Sequence, residues 1–512
     1  MAQVPAASAS FNSERRCTSN FIEAREPRAS AAGSREIYLM SRLTFALIFL
    51  GLVCAAQAQQ VTVVETDSEL RTPMQSKPSP SFHMAPASSS VTITVNDAQK
   101  YQTIDGFGAS LTDSSAWLLY TKLTPEQRSQ TMHDLFDEKS GIGLNFLRQP
   151  MGASDLALND YSYDDMPAGK SDPELKHFSI EHDKAYILPS LREALAINPQ
   201  IKVMATPWSS PGWMKTSDAL IGGILKESAY PALAQYFVKF IQAYEAAGVP
   251  IYGLTMQNEA LFTPADYPGM LFPAEAQGKF LRDNLGPALG ASNLHTKVMV
   301  YDHNWDHPEY PTTILHDPEA AKYAAGTAWH CYGGDVSAQS AVHDQFPAKD
   351  MWETECSGGT WQKGNLLAVT AKLIIESTRN WAKSVVLWNM ALDQNNGPNT
   401  GGCATCRGVV TVDTSKSPAM VTKTVDYYAL GHASKYVRPG AVRIESNSFG
   451  DKGLEDVAFQ NTDGSIGLIV LNNAATAQTF SVAKSGASFT YTLPAGSLAT
   501  FSWNASAAVS KQ

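Results

Sequence analysis

Two glutamates in this chain stand where chemistry is usually done. The run Ile251-Tyr-Gly-Leu-Thr-Met256 is largely apolar and stops abruptly on Gln257, Asn258 and Glu259. Much later, Asp350-Met-Trp-Glu-Thr-Glu355 has the same shape and is followed by Cys-Ser-Gly-Gly. Such a run reads as a buried parallel strand, and the carboxyl end of that strand is where an α/β barrel gathers its functional groups. Two carboxyls at two strand ends, far apart in sequence, are what hydrolysis of a glycosidic bond by double displacement requires. Glu353 lies two residues before Glu355 and is expected to face the other side of the strand in a structural role.

Further strand-end candidates share this character: Asp105-Gly-Phe-Gly108, the segment from Arg148 to Asp155, Trp208 to Trp213, Asp302-His-Asn304, His330-Cys-Tyr332 and Trp388-Asn389. A single glutamate or tryptophan at such a place is ordinarily a solvated loop residue or part of the core. A whole ring of polar and aromatic strand ends is not what packing alone produces.

The elements that must position these residues follow from apolar periodicity. Strands are predicted at 103–108, 143–150, 201–207, 251–256, 296–301, 326–332, 349–354 and 384–392. Amphipathic or capped segments lie between them, one opening with Thr124 at the N-cap and Pro125 at the first helical position. Eight strands alternating with helices are the count of a (β/α)8 TIM barrel, assigned to residues 103–423. A doubly wound sheet is the alternative, but no glycine-rich dinucleotide loop follows any strand. Short, regularly spaced strands over 424–505, joined by the alternating stretch in 91–102, predict a β-sandwich side domain built from both ends of the chain.

The remaining segments bound the setting. Residues 40–58 carry one arginine, an apolar run and Ala-Gln-Ala, the pattern of a secretory signal peptide cleaved after Ala58. The true start is therefore expected at Met40, residues 1–58 are leader and signal, and the protein is secreted or periplasmic with no stable membrane insertion once the signal is removed. The Ser/Pro-rich 59–90 reads as a flexible linker. With 512 residues, 44% hydrophobic content and a formal charge of −10, the chain can bury a large core and is a poor partner for nucleic acid. Of the cysteines beyond the signal, Cys403 and Cys406 form an isolated CxxC in a loop-like context, read as a local disulfide rather than a zinc or redox pair. Cys331 and Cys356 fall on neighbouring predicted strands, and their bonding is left open.

At these residues the chain resembles glycoside hydrolase family 30, the family of glucosylceramidases and β-1,6-glucanases. The resemblance rests on Asp105-Gly-Phe-Gly-Ala-Ser-Leu-Thr-Asp113, Ala205-Thr-Pro-Trp-Ser-Ser-Pro-Gly-Trp-Met-Lys215, Met256-Gln-Asn-Glu259, Thr354-Glu-Cys-Ser-Gly-Gly359 and Leu387-Trp-Asn-Met-Ala-Leu-Asp393, with Gly397-Pro-Asn399. It implies that Glu259 is the acid/base and Glu355 the nucleophile, with carboxyl groups about 5 to 5.5 Å apart. It implies that Arg148 keeps the nucleophile charged, that Tyr332 hydrogen-bonds it, and that Asn258 holds the sugar 2-hydroxyl. Asp155, Trp208 and Trp388 match positions that grip the sugar, and His330 is expected in the pocket wall as a supporting residue. Neither a cofactor nor a metal is implied, since His330 has no partner histidine at ligand spacing. One departure concerns the stretch after Asn399, where Thr-Gly-Gly-Cys-Ala-Thr-Cys-Arg407 replaces the aromatic loop of animal glucosylceramidases. The leading expectation is a secreted, retaining, glucosylceramidase-like β-glycosidase acting on a carbohydrate or glycolipid. A β-1,6-glucanase and a catalytically inactive carbohydrate-binding protein are the alternatives, and the oligomeric state is left open.

Overall fold

The computed structural model describes residues 59–449 and 453–504. The expected leader and signal lie outside the described residues. Eight parallel strands close into a barrel: β1 (Gly106–Ser110), β2 (Phe146–Pro150), β3 (Lys202–Thr206), β4 (Ile251–Thr255), β5 (Lys297–Asn304), β6 (Ala324–His330), β7 (Asp350–Cys356) and β8 (Ala382–Leu387). Each overlaps a predicted strand, with bounds that differ by up to five residues. Inside the barrel, alternate residues of different strands interlock, with Phe146, Met204, Met299, Ala328, Trp352 and Val386 forming one packed layer. Leu147, Val203 and Leu254, of opposite parity, pack outward against the helices.

A helix follows each strand. The helix Pro125–Phe136 begins with a capping box in which Thr124 and Gln127 exchange side-chain and backbone bonds, as Thr-Pro-x-Gln directs. Val425–Ser434 is the helix that follows β8 and packs against Leu366–Arg379 and β1. It lies within the 424–505 stretch expected to be wholly β-sandwich. The change to short strands begins instead at Val442–Ser446.

The side domain is a nine-stranded hydrogen-bonded arrangement joined through the long strand Thr92–Thr103. That strand pairs with Gln478–Lys484 at one end and with Val442–Ser446 along the rest. The flexible linker expected at 59–90 is corrected here. Thr62–Thr66 pairs in register with Leu498–Asn504, and Gln75–Lys77 adds an edge strand. The reason is local: Val61, Val63 and Phe82 are buried in the sandwich core, and that apolar pattern prevails over the Ser/Pro-rich run beside it. Ile469 and Leu471 face the barrel, whereas Leu468 and Val470 fill the sandwich, the alternation a strand packed on both faces requires. Among the described residues, no helix is long and apolar enough to cross a membrane.

Candidate active site

The carboxyl ends of the barrel strands converge on a cavity of about 470 Å³ whose wall includes Asp155, Glu259, His303, Tyr332, Glu355 and Trp388. Arg148 points inward from β2 and lies beneath it, fully buried. Its Nη1 donates to Glu355 Oε2, and its Nη2 donates to Asn258 Oδ1 at 2.7 Å and to Asp302 Oδ2 at 2.9 Å. Tyr332 donates its hydroxyl to Glu355 Oε1 at 2.9 Å. Glu355 thus accepts one permanently charged donor and one neutral one.

Local irregularities deliver these groups. Regular alternation from Trp352, which packs inside the barrel, would send Glu355 outward with Glu353. A register shift against β6 between Glu353 and Glu355 turns Glu355 into the cavity instead. Glu353 stays buried on the outer side, accepting from Gln339 Nε2 at 2.8 Å and Trp305 Nε1 at 3.1 Å, and burial holds its pKa well above the usual range. A second shift interrupts β5 between Tyr301 and His303, where Tyr301 and Asp302 adopt φ of 82° and 65°. This bend lets adjacent residues serve the same site: Asp302 reaches beneath it and His303 lines it. Glu259 also sits at positive φ, 47°, held by Asn258 N donating to Pro207 O and its own N donating to Asp302 O. Strained backbone of this kind persists only where its surroundings over-determine it.

Charge in the site is arranged around Asp302 and His330. Asp302 accepts from Arg148, Thr255, Thr354 and His330. Burial opposes its charge, but Arg148 and His330 overcome that and hold its carboxyl well below the usual range. His330 is fully buried, which disfavours its cation; the acids around it, Glu355, Asp302 and Glu259, nonetheless lift its pKa to about 10. Its Nδ1 lies 3.2 Å from Glu259 Oε1 and 4.0 Å from Glu355 Oε1.

Potential ligand atoms of Glu259, His330 and Glu355 lie within 4.8 Å of one another, a separation that could suit a metal. The chemistry of the set argues for charge pairing instead. His330 already spends both ring nitrogens, Nε2 on Asp302 at 3.1 Å and Nδ1 on Glu259 at 3.2 Å, and Arg148 already balances Glu355. The two glutamates titrate as one unit. Burial and mutual repulsion raise its upper step, while His330 and Arg148 pull the lower step down.

Of the sequence-predicted sugar contacts, Asp155, Tyr332 and Trp388 line the cavity. Asp155 Oδ2 accepts from Cys403 N at 3.3 Å, while its buried Oδ1 has no partner within the protein. Burial, then the charge of Glu355, raises the Asp155 pKa to about 7. Trp208 is not among the residues of that wall. Its ring stacks on Trp388 at 4.7 Å between centroids and lies 4.8 Å from the Arg148 guanidinium, so it buttresses both. Asn258 also lies outside the cavity lining, with its amide oxygen on Arg148. Asp105, counted with the strand-end candidates, belongs to the opposite end of the barrel. It precedes β1 and bonds Lys202, Tyr252 and Trp352 near the starts of their strands, so it plugs the amino-terminal mouth.

The CxxC pair is bonded, Cys403 to Cys406, and both residues line the cavity. Cys331 is bonded to Cys356, joining the ends of β6 and β7. Sequence reasoning missed Phe262, Tyr267 and Trp361 in the wall. Their signal was faint: each lies in a turn-rich stretch shortly after a glutamate-bearing strand or within its following loop.

Comparison with known proteins came to the same place. A family model described as the glycosyl hydrolase family 30 TIM-barrel domain matches residues 104–437, and one described as the family 30 beta sandwich domain matches residues 440–501. An endo-1,6-beta-D-glucanase of Neurospora crassa is 33% identical over 83% of this chain and 91% of its own length. The lysosomal acid glucosylceramidase of Mus musculus is 30% identical over 80% of this chain and 83% of its own. A solved structure described as an endo-beta1,6-glucanase superposes with a TM-score of 0.80 at 35% identity, covering 87% of this chain and 100% of that one.

Proposed function

The chain belongs to glycosyl hydrolase family 30, and from that premise we propose that it is a retaining β-glycosidase whose substrate is a β-1,6-linked glucan. The observation that carries the mechanism is the placement of Glu259 and Glu355, with carboxylate oxygens within 4.8 Å of each other. That spacing favours direct attack, because an inverting pair stands roughly 6.5 to 9.5 Å apart to admit a water.

Glu355 is the nucleophile in this reading. The guanidinium of Arg148 and the hydroxyl of Tyr332 both stabilise its anion, and the proton for the departing oxygen is the one that His330 Nδ1 and Glu259 Oε1 share across 3.2 Å. In the first step Glu355 forms a bond to the anomeric carbon as the glycosidic C–O bond breaks and Glu259 gives its proton to the departing oxygen. Once Glu355 is esterified its charge is gone, and Glu259 becomes a better base. It then takes a proton from water as that water attacks the anomeric carbon and releases Glu355. Asp155, with its unpartnered Oδ1, and Trp388 hold the sugar that carries the reacting carbon.

The substrate follows from different support. Relatives named endo-1,6-beta-D-glucanases reach 33% and 34% identity, and the superposed glucanase reaches 35%. The glucosylceramidase-like expectation therefore becomes the second reading, supported by relatives of that name at 30–32% identity. Two bonded disulfides suit an exported protein, in keeping with the signal read at residues 40–58.

The test is to offer the purified protein a β-1,6-glucan and, separately, detergent-dispersed glucosylceramide, following the first-formed anomer by proton NMR. Rapid release of β-configured ends from the glucan is expected. Cleavage of glucosylceramide alone would reverse the substrate assignment, α-configured ends would reverse the mechanism, and binding without hydrolysis of either would leave a carbohydrate-binding protein.

A further inference from the structure

Among the described residues, the exposed aromatic side chains are Phe262, Tyr332 and Trp361, and all three line the one cavity described above. Tyr332 is engaged with Glu355. Phe262, 47% exposed, and Trp361, 50% exposed, have no such partner. Apolar rings gathered at a cavity mouth, rather than scattered over the surface, mark a ligand surface.

Trp361 is held in place by the fold. A Cβ on Gly359 would lie 2.0 Å from the indole, so the ring rests on the bare backbone of that glycine. Gly359 in turn makes a bridge to Cys406. Thr360 N donates to Thr405 O at 3.0 Å, and Arg407 N donates to Gly358 O at 2.8 Å. The turn bearing Trp361 is therefore laced to the loop that Cys403–Cys406 closes. The six-membered ring of the indole is held against Gly359, and the exposed remainder is presented without the entropy cost of ordering a mobile side chain.

Position supplies the rest. Asp155, Trp388 and Glu355 are buried in the depths of the cavity, where the sugar to be cleaved must sit. Whatever meets the exposed rim is the part of the substrate that projects beyond that sugar. Phe262 lies on the same turn as Glu259, its N–H bonded to Glu259 O at 2.8 Å, and Glu259 serves the departing oxygen.

We propose that Trp361, seated on Gly359 and lining the same cavity mouth as Phe262, is a stacking platform for the pyranose on the leaving-group side of the cleaved bond. This rests on the glycosidase reading above and deepens it. The apolar C–H face of a pyranose matches a flat indole, while the edge hydroxyls remain in water.

The test compares wild type, Trp361→Ala, Trp361→Phe and Gly359→Ala on two substrates: β-glucosyl fluoride, whose leaving group has no ring, and a β-1,6-linked gluco-oligosaccharide. The ratio of kcat/KM on the oligosaccharide to that on the fluoride should fall on the order of tenfold in Trp361→Ala. Gly359→Ala, which leaves the tryptophan but takes its seat, should reproduce that fall and add nothing when combined with Trp361→Ala. Trp361→Phe should recover part of it. Equal losses on both substrates, or a larger loss on the fluoride than on the oligosaccharide, would overturn the platform. Calorimetric binding of the oligosaccharide to Glu355→Ala, with and without Trp361→Ala, tests it even without turnover. Weaker binding in the double variant supports the platform and equal binding rejects it, whereas an inactive wild type rejects only the glycosidase reading.

Discussion

Glu259 and Glu355 are one side-chain type in two surroundings, and the difference should be visible chemically. Glu355 is gripped by Arg148 and Tyr332, whereas Glu259 faces His330 and is more open, its side chain 17% exposed against 7%. Glu355→Ala should lose nearly all hydrolysis of every substrate, since no group remains to form the glycosyl-enzyme. Glu259→Ala should fail mainly where the departing oxygen needs protonation. On an aryl glucoside with an acidic phenol its intermediate should form and accumulate, and added azide should release a β-glucosyl azide without a base. For Glu355→Ala, azide can enter only from the opposite face and would give the α-azide. Chromatography of the azide products separates the two outcomes, and the reverse pattern would exchange the roles. Both glutamates could be picked from sequence because an apolar run that stops on a carboxylate marks a strand end. Trp208 shows the limit of that signal. Its position at a strand end is legible, but whether the ring meets the cavity or lies behind Trp388 depends on packing between distant loops.

The barrel strands were legible because burial on both faces leaves near-continuous apolar runs. What a run cannot reveal is a register shift within it, and two such shifts build this site. Without the one between Glu353 and Glu355, the strand period would place both glutamates on the same outer face. Asp105 misled for a related reason: the sequence marks a polar residue beside a strand, but the three residues between the predicted start at 103 and the observed start at Gly106 decide which mouth of the barrel it occupies. The Cys331–Cys356 bond acts at this scale as well. It ties the ends of β6 and β7 at residues adjacent to Tyr332 and Glu355, the pair whose hydrogen bond holds the nucleophile. Replacing both cysteines by serine should therefore lower kcat several-fold, about what a loss of 1 kcal/mol in the transition state produces. Tyr332→Phe should act through the same contact. The combined variant should be little worse than Tyr332→Phe alone, a non-additivity that steady-state kinetics can read. Full additivity would mean the disulfide stabilises the fold without setting this hydrogen bond.

At the scale of the molecule, the two domains are joined by segments from far apart in the chain, which is why the start of the fold was harder to see than its middle. The strand Thr62–Thr66 pairs on one side with the nearby Gln75–Lys77 and on the other with Leu498–Asn504, and that second partner, far along the chain, is invisible to any local pattern. One buried histidine marks the junction. His432, on the helix Val425–Ser434, lies between Thr66 Oγ1 at 2.8 Å and Thr500 Oγ1 at 2.9 Å. Burial pushes its pKa down to about 3, so the folded protein keeps it neutral where the unfolded chain would protonate it. Its effect on stability has a definite sign. Above an unfolded pKa of about 6.5 neither state binds the proton and there is no penalty; as the pH falls toward about 3, only the unfolded state gains it and folding weakens. Buried acids with raised pKa values, such as Asp183 and Asp456 at about 6, work in the opposite direction over part of this range. The wild-type curve alone therefore mixes the two, and the difference from His432→Gln isolates the histidine. Gln retains polar atoms for the two threonines, so its main cost should be a constant offset. Relative to that offset, wild type should lose about 1.4 kcal/mol per pH unit between about pH 6 and pH 4 in denaturant unfolding. A difference between the two proteins that stays flat across that interval would mean His432 is hydrated or already charged at the junction.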